Sequence, residues 1–465
     1  SGLTCVTAAQ IVSSARSPQG YQLFIDAFDE ARNINDLSLL STINQVVKQN
    51  ALNMLGISCR IADWHNNYLE NLTDHIPSPR IFELLPLSLE QQISVLTQED
   101  YGYIKCPQDF IKQAQTKGFH ELLGNPQTLM LHAKSVKSSA GEFPDSKNQA
   151  YDLACKQLLR EHNHVHDAQL SSEIVRWQAA GWLASIALLA DSPLISTTLS
   201  IPSEINESQV TNLSQLELPA HQSQNGFNRE VLLEILRSRM FRSDNGLYSF
   251  THRSVAEYMA AQYLANELQV GNLSPNRLAS VMLFQGFLIN NLRGLAGVLA
   301  SLNPEMKAYL FQADPAAVID YGDLTLLTIS DKEELIEIFA SHEQTDYQWG
   351  RWSNSAQYQP LADGSMQDFI SQWLCERLIS NSDNDKKYIV AEVLLSAILS
   401  QPKSEYWSAL LAQLIQNPEI PPVTRQRAVK VWLVHEGDSE KRANMINWVY
   451  QNQQYDPEKE MLGRL

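Results

Sequence analysis

The chain has 465 residues, of which 44% are hydrophobic and 19% charged. That length exceeds one ordinary core and fits about three domains. The net charge of −17 argues against broad binding to a nucleic-acid backbone, which takes a basic surface.

The first element in chain order is the stretch Tyr21–Arg32, Y-Q-L-F-I-D-A-F-D-E-A-R. The apolar run Leu23-Phe24-Ile25 drives into Asp26, Asp29 and Glu30. A buried strand stopped by a carboxylate puts that carboxylate at the end of a central strand. In an open parallel sheet, ligands bind outside the carboxyl ends of the strands. The same D-x-x-D-E spacing also fits a solvated helix start. A helix follows at about Leu37–Asn50, then strands at Leu52–Ser58 and Ile81–Leu85. Ser88 with Gln91 has the form of a capping box that opens a helix. Gly118–Val136 reads as helical, broken at Gly124-Asn125-Pro126, and Ala150–Ala190 as helical and strongly apolar. Residues 202–227 are polar and read as a loop or insertion.

Asn228 should cap a helix over Arg229–Met240. Asn245-Gly246 between two apolar runs predicts a hairpin ending at Phe250, with a helix at Ser254–Leu268 directly behind it. Helix, hairpin, helix is a winged-helix pattern. Arg237, Arg239, Arg242 and Arg253 are interleaved with acids, so nucleic acid is not the expected partner. From about residue 275 onward the pattern is short amphipathic helices, as in stacked antiparallel pairs of a HEAT-like α-solenoid. Examples are Tyr388–Leu399, Tyr406–Gln416, Arg425–His435 and Lys441–Tyr450.

The five cysteines, Cys5, Cys59, Cys106, Cys155 and Cys375, are widely spaced with no C-x-x-C pair. That fits free thiols in a reducing cytosol. No run reaches the ~18 apolar residues of a membrane span, and no secretory leader is evident. A cytoplasmic location without a membrane partner is the expectation. The chain does not begin with Met, and we expect it to be a segment of something longer. In E-H-N-H-V-H-D, the residues His162, His164 and His166 would share one face of a strand and could hold a metal. In a polar loop they would carry no such role.

Four segments standing in one order resemble NACHT-type signalling ATPases of the STAND class. L-F-I-D-A-F-D-E-A at 23–31 resembles their Walker B motif, with Ala27 where the family usually has Gly. I-S-C-R-I-A-D-W at 57–64 resembles their sensor strand, with Cys59 and Ile61 departing from Ser and Pro. F-E-L-L-P-L-S-L-E-Q at 82–91 and L-L-G-N-P-Q-T-L-M-L at 122–131 resemble the end of the sheet and the start of the helical domain. Y-S-F-T-H-R-S-V-A-E-Y-M-A-A at 248–261 is the most specific match, with Val255 in place of Phe.

The resemblance implies an α/β fold followed by all-α: a partial P-loop NTPase (NACHT) sheet domain at 1–100, a helical domain at 101–200, a winged helix at 201–270 and a helical-repeat region at 271–465. It implies ATP or ADP with Mg2+ as cofactors. Asp26 would hold the magnesium through water, Asp29 would support it, and Glu30 would orient the attacking water. Arg60 would sense the terminal phosphate, Pro126 would pack near the adenine, and His252 would reach the β-phosphate of ADP. The implied function is a bacterial NLR-like switch of the anti-phage defence class. A trigger protein, plausible as phage-derived, would bind the C-terminal helices, and opening would permit self-oligomerisation and activation of an effector outside this segment.

No G-x-x-x-x-G-K-[ST] occurs, and the dipeptide Gly-Lys is absent. Backbone amides and the P-loop lysine supply most of the grip on phosphate. The segment as given is therefore expected to bind nucleotide weakly and hydrolyse it negligibly. Two other classes stay open: a non-enzymatic helical-repeat scaffold with a vestigial NTPase sheet, and a STAND transcription regulator.

Overall fold

The computed structural model describes residues 3–7, 22–26, 41, 43–45, 54–58, 82, 85 and most of 87–452; segments not described include 8–21, 27–40, 59–81, 161–170, 199–206, 220–226, 343–354, 379–385 and 453–465. The described part is mostly helical, with small sheets. Its contacts divide the chain into two compact units.

The first unit comprises Ser1–Leu85, Ile186–Leu236 and Phe241–Phe250. It holds strands β1 (Leu3–Thr7), β2 (Gln22–Asp26) and β3 (Met54–Ile57), parallel and in that spatial order. Leu23 and Ile25 are buried on β2, as its apolar run requires. Gly56 of β3 stands opposite Phe24, and a β-carbon there would fall 2.6 Å from the Phe24 ring. Glycine in this strand makes room for an aromatic neighbour. Ser41 and Ile43–Gln45 are helical within the expected 37–50 segment, and Ile43 is fully buried.

A second sheet in this unit has the order β5-β4-β7-β6. Its strands are β4 (Leu194–Ser196), β5 (Val210–Asn212), β6 (Phe241–Asp244) and β7 (Leu247–Phe250). β6 and β7 form the expected hairpin; Asp244 pairs with Leu247, and the Phe241 and Phe250 rings lie 4.3 Å apart across the ladder. Within 202–227, read as a loop or insertion, Val210–Asn212 forms strand β5. Its V-T-N sequence is polar, but Asn212 Nδ2 donates to the Thr198 carbonyl at 2.7 Å and Asn212 Oδ1 accepts from Ser214 N–H at 2.9 Å. Those bonds let a polar residue sit buried in a short strand.

Of the expected strand Ile81–Leu85, Phe82 and Leu85 are described, while Ile81, Glu83 and Leu84 lie outside the described residues. At Phe82 and Leu85 the backbone is neither strand nor helix, and their exposures are 83% and 77%. An apolar run becomes a strand only where a partner edge and a packing surface meet it. The helix opened by Asn228 (Arg229–Leu236, α6 in chain order) also stops four residues short of Met240.

The second unit comprises Pro86–Ser185, Arg237–Met240 and Thr251–Leu465. It begins with α1 (Leu89–Leu96), where Ser88 and Gln91 make both bonds of the capping box. Then come α2 (Pro107–Thr116), α3 (Pro126–Ser138), α4 (Lys147–Arg160) and α5 (Glu173–Leu189), whose last residues pass into the first unit. After the hairpin stand α7 (Arg253–Gln269), α8 (Pro275–Met282), α9 (Arg293–Leu302), α10 (Pro304–Ala313), α11 (Pro315–Tyr321) and α12 (Ile329–Ser341). The run closes with α13 (Gln367–Gln372), α14 (Lys386–Leu399), α15 (Glu405–Gln416), α16 (Pro422–His435) and α17 (Ser439–Gln451). The four helices expected between 388 and 450 are thus formed within a few residues of their predicted bounds.

Packing runs from neighbour to neighbour: α3 on α4, α4 on α7, α7 on α9, α9 on α11, α12 on α14, and α14 on α16. Helix α4 is held at both ends against its own dipole. Asp323 Oδ2 accepts from the Asn148 N–H at 2.8 Å, and Arg176 Nη1 donates to the Leu159 carbonyl at 3.0 Å. A carboxylate at the N-terminus and a guanidinium at the C-terminus both stabilise a helix.

His132 on α3 is buried beside Phe110, ring centroids 5.6 Å apart, and burial pushes its pKa down from 6.5 to about 4. The folded imidazole is therefore neutral at pH 7, while the unfolded chain protonates it below about pH 6.5. The sign is then fixed: this group leaves stability unchanged above about pH 6.5 and erodes it as pH falls toward 4. Between pH 7.5 and 5.0 the wild type should lose about 2 kcal/mol more than His132→Leu in urea unfolding. Equal losses in the two proteins would reject this assignment.

Candidate functional site

Asp26 is the last residue of β2, the middle one of three parallel strands, in register with Thr7 of β1. The Ser58 N–H donates to the Ile25 carbonyl at 2.8 Å, so pairing with β3 runs to the strand end. The backbone therefore delivers Asp26 at the carboxyl edge of the sheet, as its apolar run predicts. That edge is where open parallel sheets bind ligands, and a carboxylate is the donor that hydrated magnesium takes. Of the residues expected to serve magnesium, Asp26 is the one described, and its backbone stands at that edge. Asp29, Glu30 and Arg60 lie outside the described residues, as do His162, His164 and His166. Among the described residues, no group of three or more His, Cys, Asp or Glu could hold a metal ion. Among them also, no helix is long and apolar enough to cross a membrane.

Pro126 is the first residue of α3 and is exposed. Proline suits that position, since the first helical N–H has no intrahelical acceptor. The Leu87 N–H donates to the Gly124 carbonyl at 2.7 Å, which ties the approach to α1 to the turn before α3.

His252 stands at the N-cap of α7, half-buried, with extended backbone angles φ −139° and ψ 128°. Its side chain makes no capping hydrogen bond. The next residues fasten this corner. Arg253 Nε donates to Glu257 Oε1 at 2.8 Å, and Arg253 Nη2 donates to the Asn291 carbonyl. The backbone on the other side is held by the Thr251 N–H, which donates to the Met240 carbonyl at 2.9 Å, and by Thr251 Oγ1, which donates to the Arg239 carbonyl at 3.0 Å. Behind them Tyr258, Ala260 and Ala261 are buried, and the Tyr258 ring stacks on Tyr151 at 5.5 Å. Glu257 is thus a charge partner and Tyr258 a packing residue.

Asp26 belongs to the first unit; Pro126 and His252 belong to the second. The residues that sequence reasoning missed are Asn291 and Gly294, which meet the Arg253–Glu257 pair from far along the chain; Asn291 lies 38 positions from Arg253. The R-x-x-x-E spacing on α7 marks the pair itself, but nothing local marks its distant partners.

Compared with models of known protein families, the chain matches none, and a comparison with curated proteins gives no match either.

Proposed function

We propose that this chain belongs to a nucleotide-dependent switch of the NACHT type, in the cytoplasm of a bacterial cell. The observation that carries the reading is Asp26 at the carboxyl end of the middle strand of a parallel sheet, where a carboxylate can hold the magnesium of bound phosphates. The four ordered motifs support it, above all the stretch around His252.

In this reading the chain binds ADP with magnesium. Asp26, with Asp29 in support, would hold magnesium through water, and Glu30 would orient the attacking water. Arg60 meets the terminal phosphate, and Pro126 lies beside the base. His252 donates a hydrogen bond to the β-phosphate and holds the closed form. The finer reading of the fold is a partial NACHT sheet, a helical domain, a winged helix and a HEAT-like solenoid. A trigger protein that binds the open form more tightly shifts the population toward it. Exchange for ATP then permits self-association and engagement of an effector.

A second reading has one observation in its favour. The helical unit is continuously packed from α3 to α16, as a non-enzymatic interaction scaffold would be. Fluorescent ADP titrated into the natural full-length protein separates the two. Magnesium should strengthen binding, and Asp26→Ala should weaken the magnesium-dependent part about tenfold. Binding that ignores both magnesium and Asp26 would support the scaffold.

A further inference from the structure

Glu257 does more on α7 than pair with Arg253. Its carboxylate, 13% exposed, lies against Gly294 in the first turn of α9. A β-carbon at Gly294 would meet both carboxylate oxygens, so a larger residue there would push the Glu257 carboxylate aside. Helix α9 has Leu292 at its N-cap and no side-chain capping hydrogen bond there. The 3-10 turn Asn290–Leu292 runs directly into α9, and the Glu257 charge sits beside the first turn of α9, where the helix dipole favours an anion. Arg253 closes the other side through the Asn291 carbonyl, two residues before α9. The result is a clamp between the first two turns of α7 and the start of α9.

Helix α9 is in turn locked to α11 and the turn before it. Arg293 is buried, bonds Asp314 at 2.8 Å and faces Asp320 at 3.7 Å. Gly297 lies against the backbone of α11. Through Asn291 and Gly294, the start of α9 thus meets the turn that begins at His252.

We propose that Glu257 is a positioning residue for His252, which couples the imidazole to the first helices of the C-terminal run. This rests on the switch reading above. It places the trigger's mechanical input at a defined joint, the Arg253–Glu257–Gly294 contact.

The test is the release rate of a fluorescent ADP from the natural full-length protein, chased with unlabelled ADP. Glu257→Ala should speed release about tenfold, the effect of losing a charged hydrogen-bond network. His252→Ala should do the same, and the double variant should be no faster than either. Arg253→Lys keeps a charge but cannot serve two acceptors with a planar fork. It leaves Glu257 in place and should give an intermediate rate, which keeps the test open if Glu257→Ala does not fold. Rapid release from His252→Ala with wild-type rates for Glu257→Ala and Arg253→Lys would overturn the clamp and leave the switch standing. Additive effects in the double variant would also overturn it, since Glu257 would then act without His252. Wild-type release from His252→Ala would overturn the switch reading and the positioning role together.

Discussion

Gly297→Ala is expected to destabilise the helical unit by about 3 kcal/mol, near the top of the usual cost of overpacking. The added methyl would fall 2.6 Å from the Ala317 carbonyl oxygen, 2.7 Å from Tyr321 Cβ and 2.8 Å from the Gly322 nitrogen. Two of those three atoms are backbone, so no side-chain rotation relieves them. In a free helix the same change would be favourable by about 1 kcal/mol. A loss on denaturant unfolding therefore reports the close approach of α9 and α11 rather than helix propensity. Gly364→Ala is the control, because a β-carbon at Gly364 meets nothing within 4 Å. It should stay within about 0.5 kcal/mol of the wild type. If Gly297→Ala behaves like that control, α9 and α11 do not pack as described.

Asp323→Ala should cost about 4 kcal/mol. Asp323 is 2% exposed, and its carboxylate accepts from the Asn148 N–H at 2.8 Å and from Thr325 N–H and Oγ1 at 3.2 and 2.5 Å. Alanine removes the charge at the N-terminus of α4 and leaves buried donors without their acceptor, at roughly 1–3 kcal/mol each. Asp323→Asn keeps one carbonyl oxygen and should lose about half as much. The two sites are also coupled. Ser301 Oγ donates to the Gly297 carbonyl at 3.2 Å and accepts from the Asp323 N–H at 2.8 Å. The Gly297→Ala/Asp323→Ala double variant should therefore depart from the sum of the singles by more than about 0.5 kcal/mol. Additivity would show that Ser301 does not join them.

Local chemistry made much of this fold legible. The Ser88 capping box, the Asn228 cap, the Asn-Gly hairpin and the helices after residue 386 each depend on residues close in sequence. The Asn228 cap is direct: its Oδ1 accepts from the Val231 N–H at 3.0 Å. The hidden features depend on distant partners. The tie between Asn148 and Asp323 spans 175 positions, and no periodicity announces it. β5 is three residues long and mostly polar, and its strand character comes from β4 beside it. At Phe82 and Leu85 the error ran the other way, since apolar content suggested a strand that those positions do not form. In the candidate site, the end of β2 placed Asp26 and the hairpin-to-helix junction placed His252. Gly294 had no local signature, because its role is to be small where another helix brings a carboxylate.

The most direct measurement is a cryo-EM or crystal structure of the natural full-length protein with ADP and Mg2+. The proposal requires His252 Nδ1 or Nε2 within about 3 Å of a β-phosphate oxygen, and magnesium held by Asp26 through water. ADP bound away from His252, with no magnesium at Asp26, would contradict it.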